Sequence, residues 1–233
     1  MKSTLLVDIV SAQAARRPVV LAVPLGAGER RLVTPDDPVL GQAVQQALRT
    51  GKTLAVSTPG GRCLLRPYLP PLQMFVIGAV HIAQALVPMA SLAGYAVTVI
   101  DPRRAFGQQE RWEGAQIRED YPDEAFSVLG LDARSAVVAL THDPKIDDPG
   151  LASALASDAF YVGALGSRRT HAGRRQRLQE QGILPATLDR ICGPIGLSIG
   201  AVTPAEIAVA ILAEVTATLR GSPLARGPEH GPR

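Results

Sequence analysis

Short apolar runs alternate with amphipathic stretches through the second two-thirds of the chain. Each run is rich in β-branched or small apolar residues and bounded by turn formers, as is typical of strands buried on both faces. The runs are Met74–Ile77, Ala96–Ile100, Ala136–Leu140 and Ala159–Val162. Between them, apolar positions recur at helical spacing. This alternation predicts an α/β protein whose Rossmann-like parallel sheet carries helices on both faces, over residues 72–220.

Four helices are predicted between and after these strands. The first three cover His81–Ala93, Pro149–Ala156 and Arg168–Gln181. The last helix has the clearest start, because Thr203 and Glu206 form a capping box with Pro204 at the first helical position. Its apolar stripe consists of Ile207, Ile211, Val215 and Leu219. This stripe predicts that the last helix packs against the core.

Residues 1–66 predict a separate, small α+β domain. Its strands are predicted at Val19–Val23, Thr53–Ser57 and Cys63–Arg66. One helix is predicted from Asp37, as its N-cap, to Gly51. The proline-rich residues 67–71 predict a stiff linker, and the Gly/Pro-rich residues 221–233 predict a disordered tail.

Composition narrows the class of protein. The chain has 233 residues, 46% of them hydrophobic, and a net charge of only +3, too small to indicate nucleic-acid binding. The cysteines Cys63 and Cys192 lie far apart, which argues against a zinc site or a disulfide framework. Cys192 is either a buried inert cysteine or a reactive thiol.

A membrane location is not predicted. The segment Met74–Ile100 contains no Asp, Glu, Lys or Arg and is long enough to span a bilayer. However, glycine, proline and polar residues interrupt it, so a buried strand–helix–strand explains it better. The first ten residues are too short and too acidic for a signal peptide. We therefore expect a cytoplasmic protein.

The turn after the first buried strand lies where a dinucleotide fingerprint belongs. Gly78 supplies the tight turn before Ala79, but Val80 stands where a second glycine normally lets the backbone approach pyrophosphate. His81 follows at the helix start, where histidine more often donates a hydrogen bond than binds a metal. Asp101 ends the next strand, at the position of a ribose-binding carboxylate. This pattern leaves dinucleotide binding and a purely structural β-α-β unit open.

A second candidate site lies between the fourth strand and its helix. Gly166 and Ser167 precede Arg168 and Arg169 there, so that flexible backbone, a hydroxyl and two guanidinium groups meet at a helix N-terminus. Such an arrangement forms an anion cradle. The alternative is an ordinary helix with Ser167 as N-cap and a solvated arginine face. That face would also include Arg174, Arg175 and Arg177.

Two further segments carry candidate residues. Thr141, His142 and Asp143 follow the third strand at its carboxyl end, where ligands bind in open α/β sheets. His142 and Asp143 are candidates for acid–base work, although these three residues could simply cap and turn. Gly196 lies in an apolar loop before the last helix, which indicates backbone close to a ligand or to neighbouring structure.

Taken together, these segments resemble the XdhC/CoxI family, which are accessory proteins for molybdenum hydroxylases such as xanthine dehydrogenase and carbon monoxide dehydrogenase. The resemblance extends over roughly residues 72–220. It is carried by Gly78–Leu86, Val97–Arg103, Glu110–Trp112, Thr141–Asp143, Tyr161–Arg169, Pro194–Leu197 and Thr203–Glu214. The chain departs from the family pattern at Val80, which replaces the second glycine of Gly-x-Gly-His. Its N-terminal part is also shorter, with only Gly60–Cys63 resembling the family's Gly-Gly-Cys stretch.

The resemblance implies a protein that binds molybdenum cofactor, assists its sulfuration with a cysteine desulfurase, and inserts it into an apo-hydroxylase. It implies a carrier more than a turnover enzyme, and we expect a homodimer because that is the commonest oligomer. No metal site is expected apart from the cofactor. The residues expected to contact the cofactor are Gly78, Ala79, His81, Asp101, Arg103, Thr141, His142, Gly166, Ser167, Arg168, Arg169 and Gly196.

Two other functions stay open from the sequence. One is a nucleotide-dependent oxidoreductase, using NAD or FAD, in which Asp101 would bind ribose and His142 would act as acid or base. The other is a non-catalytic Rossmann scaffold for enzyme assembly.

Overall fold

A computed structural model describes residues 3–103 and 112–224 of the chain. Two compact units divide at Pro71 and Leu72. Glu110 and Arg111, which carry part of the family resemblance, lie outside the described residues, as do residues 225–233 of the predicted tail.

The N-terminal unit is a four-stranded antiparallel sheet with two helices. Its elements are α1 (Ser3–Ala14), β1 (Val19–Pro24), β2 (Arg31–Val33), α2 (Gly41–Thr50), β3 (Leu54–Thr58) and β4 (Gly61–Tyr68). The strand order is β2-β1-β4-β3. Val20, Val44 and Leu65 form the centre of its core and are fully buried. The unit therefore has a hydrophobic core of its own.

Four elements of this unit differ from the sequence predictions. Helix α1 and strand β2 were not predicted. Strand β4 continues to Tyr68 and takes up the first residues of the predicted linker, because Pro67 pairs with β1 beyond the reach of β3 and needs no second ladder partner. Asp37 accepts the amides of Val39 and Leu40 in a turn, so that α2 begins only at Gly41.

The second unit is a six-stranded sheet, parallel throughout. Its elements are β5 (Leu72–Ile77), α3 (His81–Leu92), β6 (Tyr95–Ile100), β7 (Ala115–Arg118), α4 (Pro122–Leu129), β8 (Ser135–Ala139), α5 (Pro144–Leu155), β9 (Tyr161–Ala164), α6 (Arg168–Glu180), α7 (Pro185–Leu188), β10 (Ile191–Cys192) and α8 (Pro204–Arg220). The strand order is β10-β9-β8-β5-β6-β7. Counted within this sheet, that order is the 3-2-1-4-5-6 of a Rossmann fold, with the topological switch between β5 and β8. The predicted fold class is confirmed.

Helices cover both faces of this sheet. On β5, Met74 and Val76 face the core shared with α3 and α8, whereas Phe75 and Ile77 face the core shared with α4 and α5. Phe75 meets Phe126 of α4 edge-on, with ring centroids 5.5 Å apart. The uncharged segment Met74–Ile100 is therefore a buried strand–helix–strand, as predicted. Within the described part of the chain, no helix is both long and apolar enough to cross a membrane.

Helix α5 begins earlier than predicted. Asp143 is its N-cap, since the Asp143 carboxylate accepts the Lys145 amide at 2.9 Å, and Pro144 occupies the first helical position. Pro149, predicted as the start, lies inside the helix and removes one backbone donor without ending it. The short elements β7, α4, α7 and β10 were not predicted. The capping box at Thr203 and the buried positions of Ile211 and Val215 are confirmed.

Candidate functional site

The carboxyl ends of all six parallel strands meet at one edge of the sheet. The turns after β5 and β8 touch at the topological switch. Gly78 has a φ of +106°, and a Cβ atom there would lie 2.6 Å from Cγ2 of Thr141. Glycine is therefore required at Gly78 both by its backbone conformation and by the close approach of Thr141. This contact narrows the crevice in which Rossmann proteins usually bind their ligand.

Polar groups of the first turn bond to one another. The Ala79 amide donates to the Asp101 carboxylate at 2.8 Å. Arg103 donates to both carboxylate oxygens of Asp101, from Nε at 2.9 Å and from Nη2 at 2.8 Å, and its amide adds a third bond at 3.0 Å. Asp101 is buried and fully engaged within the protein.

These bonds decide the ionisation of Asp101. Burial acts to raise the pKa of the Asp101 carboxyl, but the hydrogen bonds from Arg103 and the Ala79 amide outweigh it, and the net pKa lies below its ordinary value. Asp101 is thus an ionised carboxylate that organises the first turn. Its geometry matches a structural role more closely than a ribose contact.

Val80 fits its position without strain. It is the N-cap residue of α3, with extended backbone at φ −95° and ψ 172°, a conformation open to any residue. Its side chain is half-buried against the core shared by α3 and α8. His81 begins α3 and is exposed. The departure from the family's second glycine is therefore accommodated by packing.

The turn after β8 combines two caps. The Thr141 hydroxyl donates to Asp147 at 2.7 Å and accepts the Asp143 amide at 3.0 Å. The Asp143 carboxylate caps α5. His142, between them, is exposed and has a left-handed φ of +62°, which is uncommon for a residue other than glycine. Thr141 thus stabilises the turn and Asp143 caps α5, while His142 lies exposed between them on a constrained backbone.

A buried ion pair connects this turn to the next one. Asp147 of α5 and Arg174 of α6 are 1% and 2% exposed, and Asp147 Oδ2 lies 3.7 Å from Arg174 Nη2. The same Nη2 donates to the carbonyl of Leu165 at 2.9 Å. Asp147 holds Thr141, while Arg174 holds Leu165, so the pair links the turns that follow β8 and β9.

The pair is incompletely satisfied by hydrogen bonds. Among the described residues, Asp147 Oδ2 and both Nε and Nη1 of Arg174 have no hydrogen-bond partner. Burial raises the pKa of the Asp147 carboxyl against the opposing effects of Thr141 and Arg174. Burial also lowers the pKa of the Arg174 guanidinium, while Asp147 and Asp148 oppose that shift. Each partner therefore depends on the other for its charge.

The turn after β9 ends in an exposed helix N-terminus. Gly166 has a φ of +141°, and a Cβ atom there would lie 2.9 Å from Thr170. Ser167 is the N-cap of α6, as predicted, and its hydroxyl accepts the Thr170 amide at 3.2 Å. Arg168 and Arg169 occupy the exposed first turn, which contains no acidic residue. Positive side chains and a helix N-terminus thus coincide here.

The other arginines of α6 do not form the solvated face considered from the sequence. Arg177 makes a bidentate ion pair with Asp148, at 2.6 and 3.0 Å. Arg175 pairs with Asp189 at 2.8 Å. Together with the Arg174–Asp147 pair, these bonds attach α6 to α5 and to the end of α7. Arg168 and Arg169 differ from these three in lying at the exposed N-terminus of α6.

The loop before α8 follows the carboxyl end of β10 and is anchored to β9 and α8, since the Ile195 amide donates to the carbonyl of Ala164 at 3.1 Å. The Gly196 amide donates to Glu214 Oε2 at 2.8 Å, and the hydroxyl of Tyr161 donates to the same oxygen at 2.6 Å. A Cβ atom at Gly196 would lie 3.1 Å from that of Ala210. Glycine is therefore required by the close approach of α8, so the loop backbone lies against neighbouring structure.

Three residues of this region were missed by sequence reasoning, namely Asp147, His171 and Glu214. Arg174 was considered only as part of a solvated face, but it is buried. Glu214 is fully buried within the apolar stripe of α8, and a carboxylate on that stripe was the signal that could have revealed it. His171 packs against Gly193, where a Cβ atom would meet its ring. Asp147 and Arg174 gave no comparable signal.

The cysteines form no cluster with other ligands. Cys63 is buried in β4, and Cys192 is partly buried in β10. No group of three or more His, Cys, Asp or Glu side chains that could hold a metal ion occurs in residues 3–103 and 112–224. At the carboxyl edge, the β9–α6 turn combines the exposed N-terminus of α6 with the positive side chains of Arg168 and Arg169.

Comparison with known proteins places this geometry in a family. Residues 74–215 match the XdhC Rossmann domain. The molybdenum cofactor insertion chaperone PaoD of Escherichia coli is 30% identical over 150 residues, which are 64% of this chain and 40% of that protein. A probable xanthine dehydrogenase subunit of Bacillus subtilis is 32% identical over 136 residues, 57% of this chain and 39% of that one. The uncharacterized protein YqeB of Escherichia coli is 28% identical over 151 residues, covering 65% and 28%.

The chain thus spans well under half the length of these curated relatives. A solved structure described as a xanthine dehydrogenase from Bacillus halodurans superposes with a TM-score of 0.71, covering 94% of this chain and 67% of that one. At 24% identity, that likeness concerns the fold alone. Since the matched Rossmann domain extends from β5 to α8 and includes every turn described above, this chain belongs to the XdhC family.

Proposed function

We propose that this chain is an accessory protein that binds molybdenum cofactor and inserts it into a molybdenum hydroxylase of the xanthine dehydrogenase or carbon monoxide dehydrogenase type. Family membership supports this proposal, as does the role of its relative PaoD as an insertion chaperone. The observation that carries it is the β9–α6 turn. There an exposed helix N-terminus with no acidic residue in its first turn carries Arg168 and Arg169, at the edge where Rossmann proteins bind ligands.

The residues present fit the phosphate of the cofactor. Molybdopterin ends in a phosphate, which is recognised by guanidinium groups and helix N-termini. Arg168 and Arg169 would bind that phosphate, and Gly166 would let the backbone approach it closely. When bound, the cofactor supplies its dithiolene and molybdenum chemistry to the hydroxylase. We propose that this chain binds the cofactor and shelters it from solvent.

A carrier role also suits the hydroxyl groups at this edge. The Thr141 hydroxyl bonds to buried Asp147, and the Ser167 hydroxyl caps α6. Both are thereby committed to holding turns in place. We propose that His142, exposed on its constrained backbone, contacts the cofactor or the partner protein, and does not act as an acid or base with Asp143, whose carboxylate caps α5.

The family resemblance also suggests how the cofactor is prepared before insertion. We propose that the chain assists sulfuration of the cofactor together with a cysteine desulfurase before handing it to the apo-hydroxylase. Neither Cys63, which is buried, nor Cys192, which is partly buried, is assigned a role in that transfer.

Anaerobic binding tests the proposal directly. Purified protein would be titrated with molybdenum cofactor, with NAD(H) and with ATP, and the loaded protein mixed with an apo-hydroxylase whose activity and molybdenum content are followed. We expect selective pterin binding and recovery of hydroxylase activity. Binding of NAD(H) or ATP alone would replace the proposal with a nucleotide-dependent function, and binding of no ligand would replace it with a scaffold.

A further inference from the structure

Helix α8 exposes one face that the core does not use. Ile211 and Val215 point into the core and are fully buried. On the opposite side, residues recur at helical spacing of three and four. They are Glu206, Val209, Ala213, Thr216 and Arg220, of which all but the partly buried Ala213 are exposed. These five residues form the outer face of α8.

Apolar side chains surround the outer face. Val209 is 47% exposed, and nearby Val202 and Leu224 are 81% and 69% exposed. A groove of about 520 Å³ runs beside it. Its lining is almost entirely apolar and includes Met89, Leu197, Val209, Leu212, Ala213 and Leu224. An apolar groove beside an exposed helix face is a candidate interaction site.

The outer face is self-complementary in charge. Glu206 lies seven residues before Ala213, and Arg220 lies seven residues after it. Two antiparallel copies of α8 related by a two-fold axis at Ala213 would place each Glu206 beside the partner subunit's Arg220. Val209 would then face the partner subunit's Thr216, and the small Ala213 would let the helices approach closely. A two-fold interface requires this kind of self-pairing.

We propose that the outer face of α8 and its groove form the interface between two copies of this chain. The exposed apolar residues provide the buried area, and the Glu206–Arg220 pairs fix the antiparallel register, which is what charge complementarity supplies best. A helix pair alone is smaller than a stable interface of about 1,200–2,000 Å², so Val202 and Leu224 also become buried. The interface lies on α8, not on the turns of the ligand site, and its test does not depend on the cofactor.

A cysteine at the proposed axis gives the sharpest test. In Ala213→Cys, two copies of residue 213 face each other within disulfide distance. Mild oxidation is expected to give a reducible, covalent dimer, whereas wild-type protein and an Arg175→Cys variant on α6 give none. Absence of cross-linking in folded Ala213→Cys protein would overturn the proposal, as would a wild-type protein that sedimentation velocity shows to be monomeric at high micromolar concentration.

Charge reversal tests the register independently of oxidation. Arg220→Glu places two like charges together at each end of the interface and is expected to raise the dimer dissociation constant at least about tenfold. Adding Glu206→Lys restores the attraction but also removes the carboxylate that accepts the Val202 and Thr203 amides in the capping box. Glu206→Lys alone is therefore the control, and the double variant should dimerise more tightly than either single variant, with folding of each checked by circular dichroism. An unchanged dimer in Arg220→Glu would overturn the proposed interface. So would a monomer that associates, through this face, only with an apo-hydroxylase.

Discussion

Two turns at the carboxyl edge of the same sheet use their polar groups in opposite ways. In the β5–α3 turn, the Ala79 amide and Arg103 both bond to Asp101, so donors that a dinucleotide would need are bound within the protein. In the β9–α6 turn, Ser167 caps the helix while Arg168 and Arg169 extend from its exposed first turn. The first turn has only part of a nucleotide fingerprint, whereas the second has the exposed arginines on which the proposed anion site rests.

The proposed anion site therefore lies at β9, two strands away from β5, where the nucleotide fingerprint belongs. Once a carboxylate satisfies the first turn from inside, the second glycine of the fingerprint is no longer needed, and Val80 can pack into the core. The buried Asp147–Arg174 pair connects the intervening β8–α5 turn to the β9–α6 turn. Substitutions at these residues test whether the two turns differ in this way.

The largest effect is expected at Arg174. Arg174→Met leaves Asp147 as an unpaired buried carboxylate, and breaking such a pair costs about 3–5 kcal/mol. The matched control is Arg175→Met on the same helix. Its partner Asp189 is half-exposed, so loss of that pair should cost less than about 1 kcal/mol. Urea denaturation of both variants measures the difference, and equal losses would contradict the role given to the buried pair.

The second largest loss of stability is expected for a substitution at Gly78. Gly78→Ala introduces a Cβ atom 2.6 Å from Thr141 at a φ of +106°, and the strain and crowding together should cost about 2–4 kcal/mol. Gly94 serves as control because its φ is also positive, +90°, but no atom lies within 4 Å of the added Cβ. Gly94→Ala therefore isolates the backbone strain. Thermal unfolding that ranks Gly94→Ala as the more damaging change would show that the two turns are not in tight contact.

The next prediction concerns the affinity for the cofactor and not the stability of the fold. Arg168→Ala is expected to weaken binding of the phosphate-bearing cofactor by about 1.5–3 kcal/mol, the scale of a charge-assisted hydrogen bond. Arg103→Ala should have a smaller effect on affinity, because that guanidinium already bonds to Asp101. Anaerobic titration of both variants compares the two turns directly. A larger loss for Arg103→Ala would move the anion site to the first turn.

The smallest effect is a pH dependence at Asp101. Because its folded pKa lies below the ordinary value, its ionised form stabilises the fold above about pH 4. That contribution is lost as pH falls through the folded pKa. Asp101→Asn should therefore be less stable than wild type at pH 7, and the gap should close on acidification toward pH 3. Urea midpoints at both pH values measure this, and a gap that widens in acid would contradict it.

Much of the fold could be predicted from the sequence because its signals are local. The buried strands are continuous apolar runs, and the start of α8 is a capping box around Pro204. The sequence was misleading where it contains two possible helix starts. For α5, the helix was predicted to start at Pro149, but in the structure it starts earlier, with Asp143 as N-cap and Pro144 at the first helical position.

The site was harder to predict because its decisive contacts are distant in the chain. Nothing near Asp101 in sequence indicates that it accepts the amide of Ala79, 22 residues away. Likewise, Arg174 is one of several arginines on α6, and only tertiary packing distinguishes the buried one from its neighbours. Sequence patterns identified the turns, whereas the assignment of donors within each turn required the structure.

Binding of the cofactor phosphate at the β9–α6 turn is tested most directly by NMR. Backbone amides of the isotopically labelled protein are followed while it is titrated anaerobically with molybdenum cofactor. We predict that the amides of Ser167, Arg168 and Arg169 shift first and most, while those of Ala79 and Gly196, already bonded to Asp101 and Glu214, change little. Shifts centred on Ala79 and His81 instead, with the β9–α6 turn unaffected, would contradict the account.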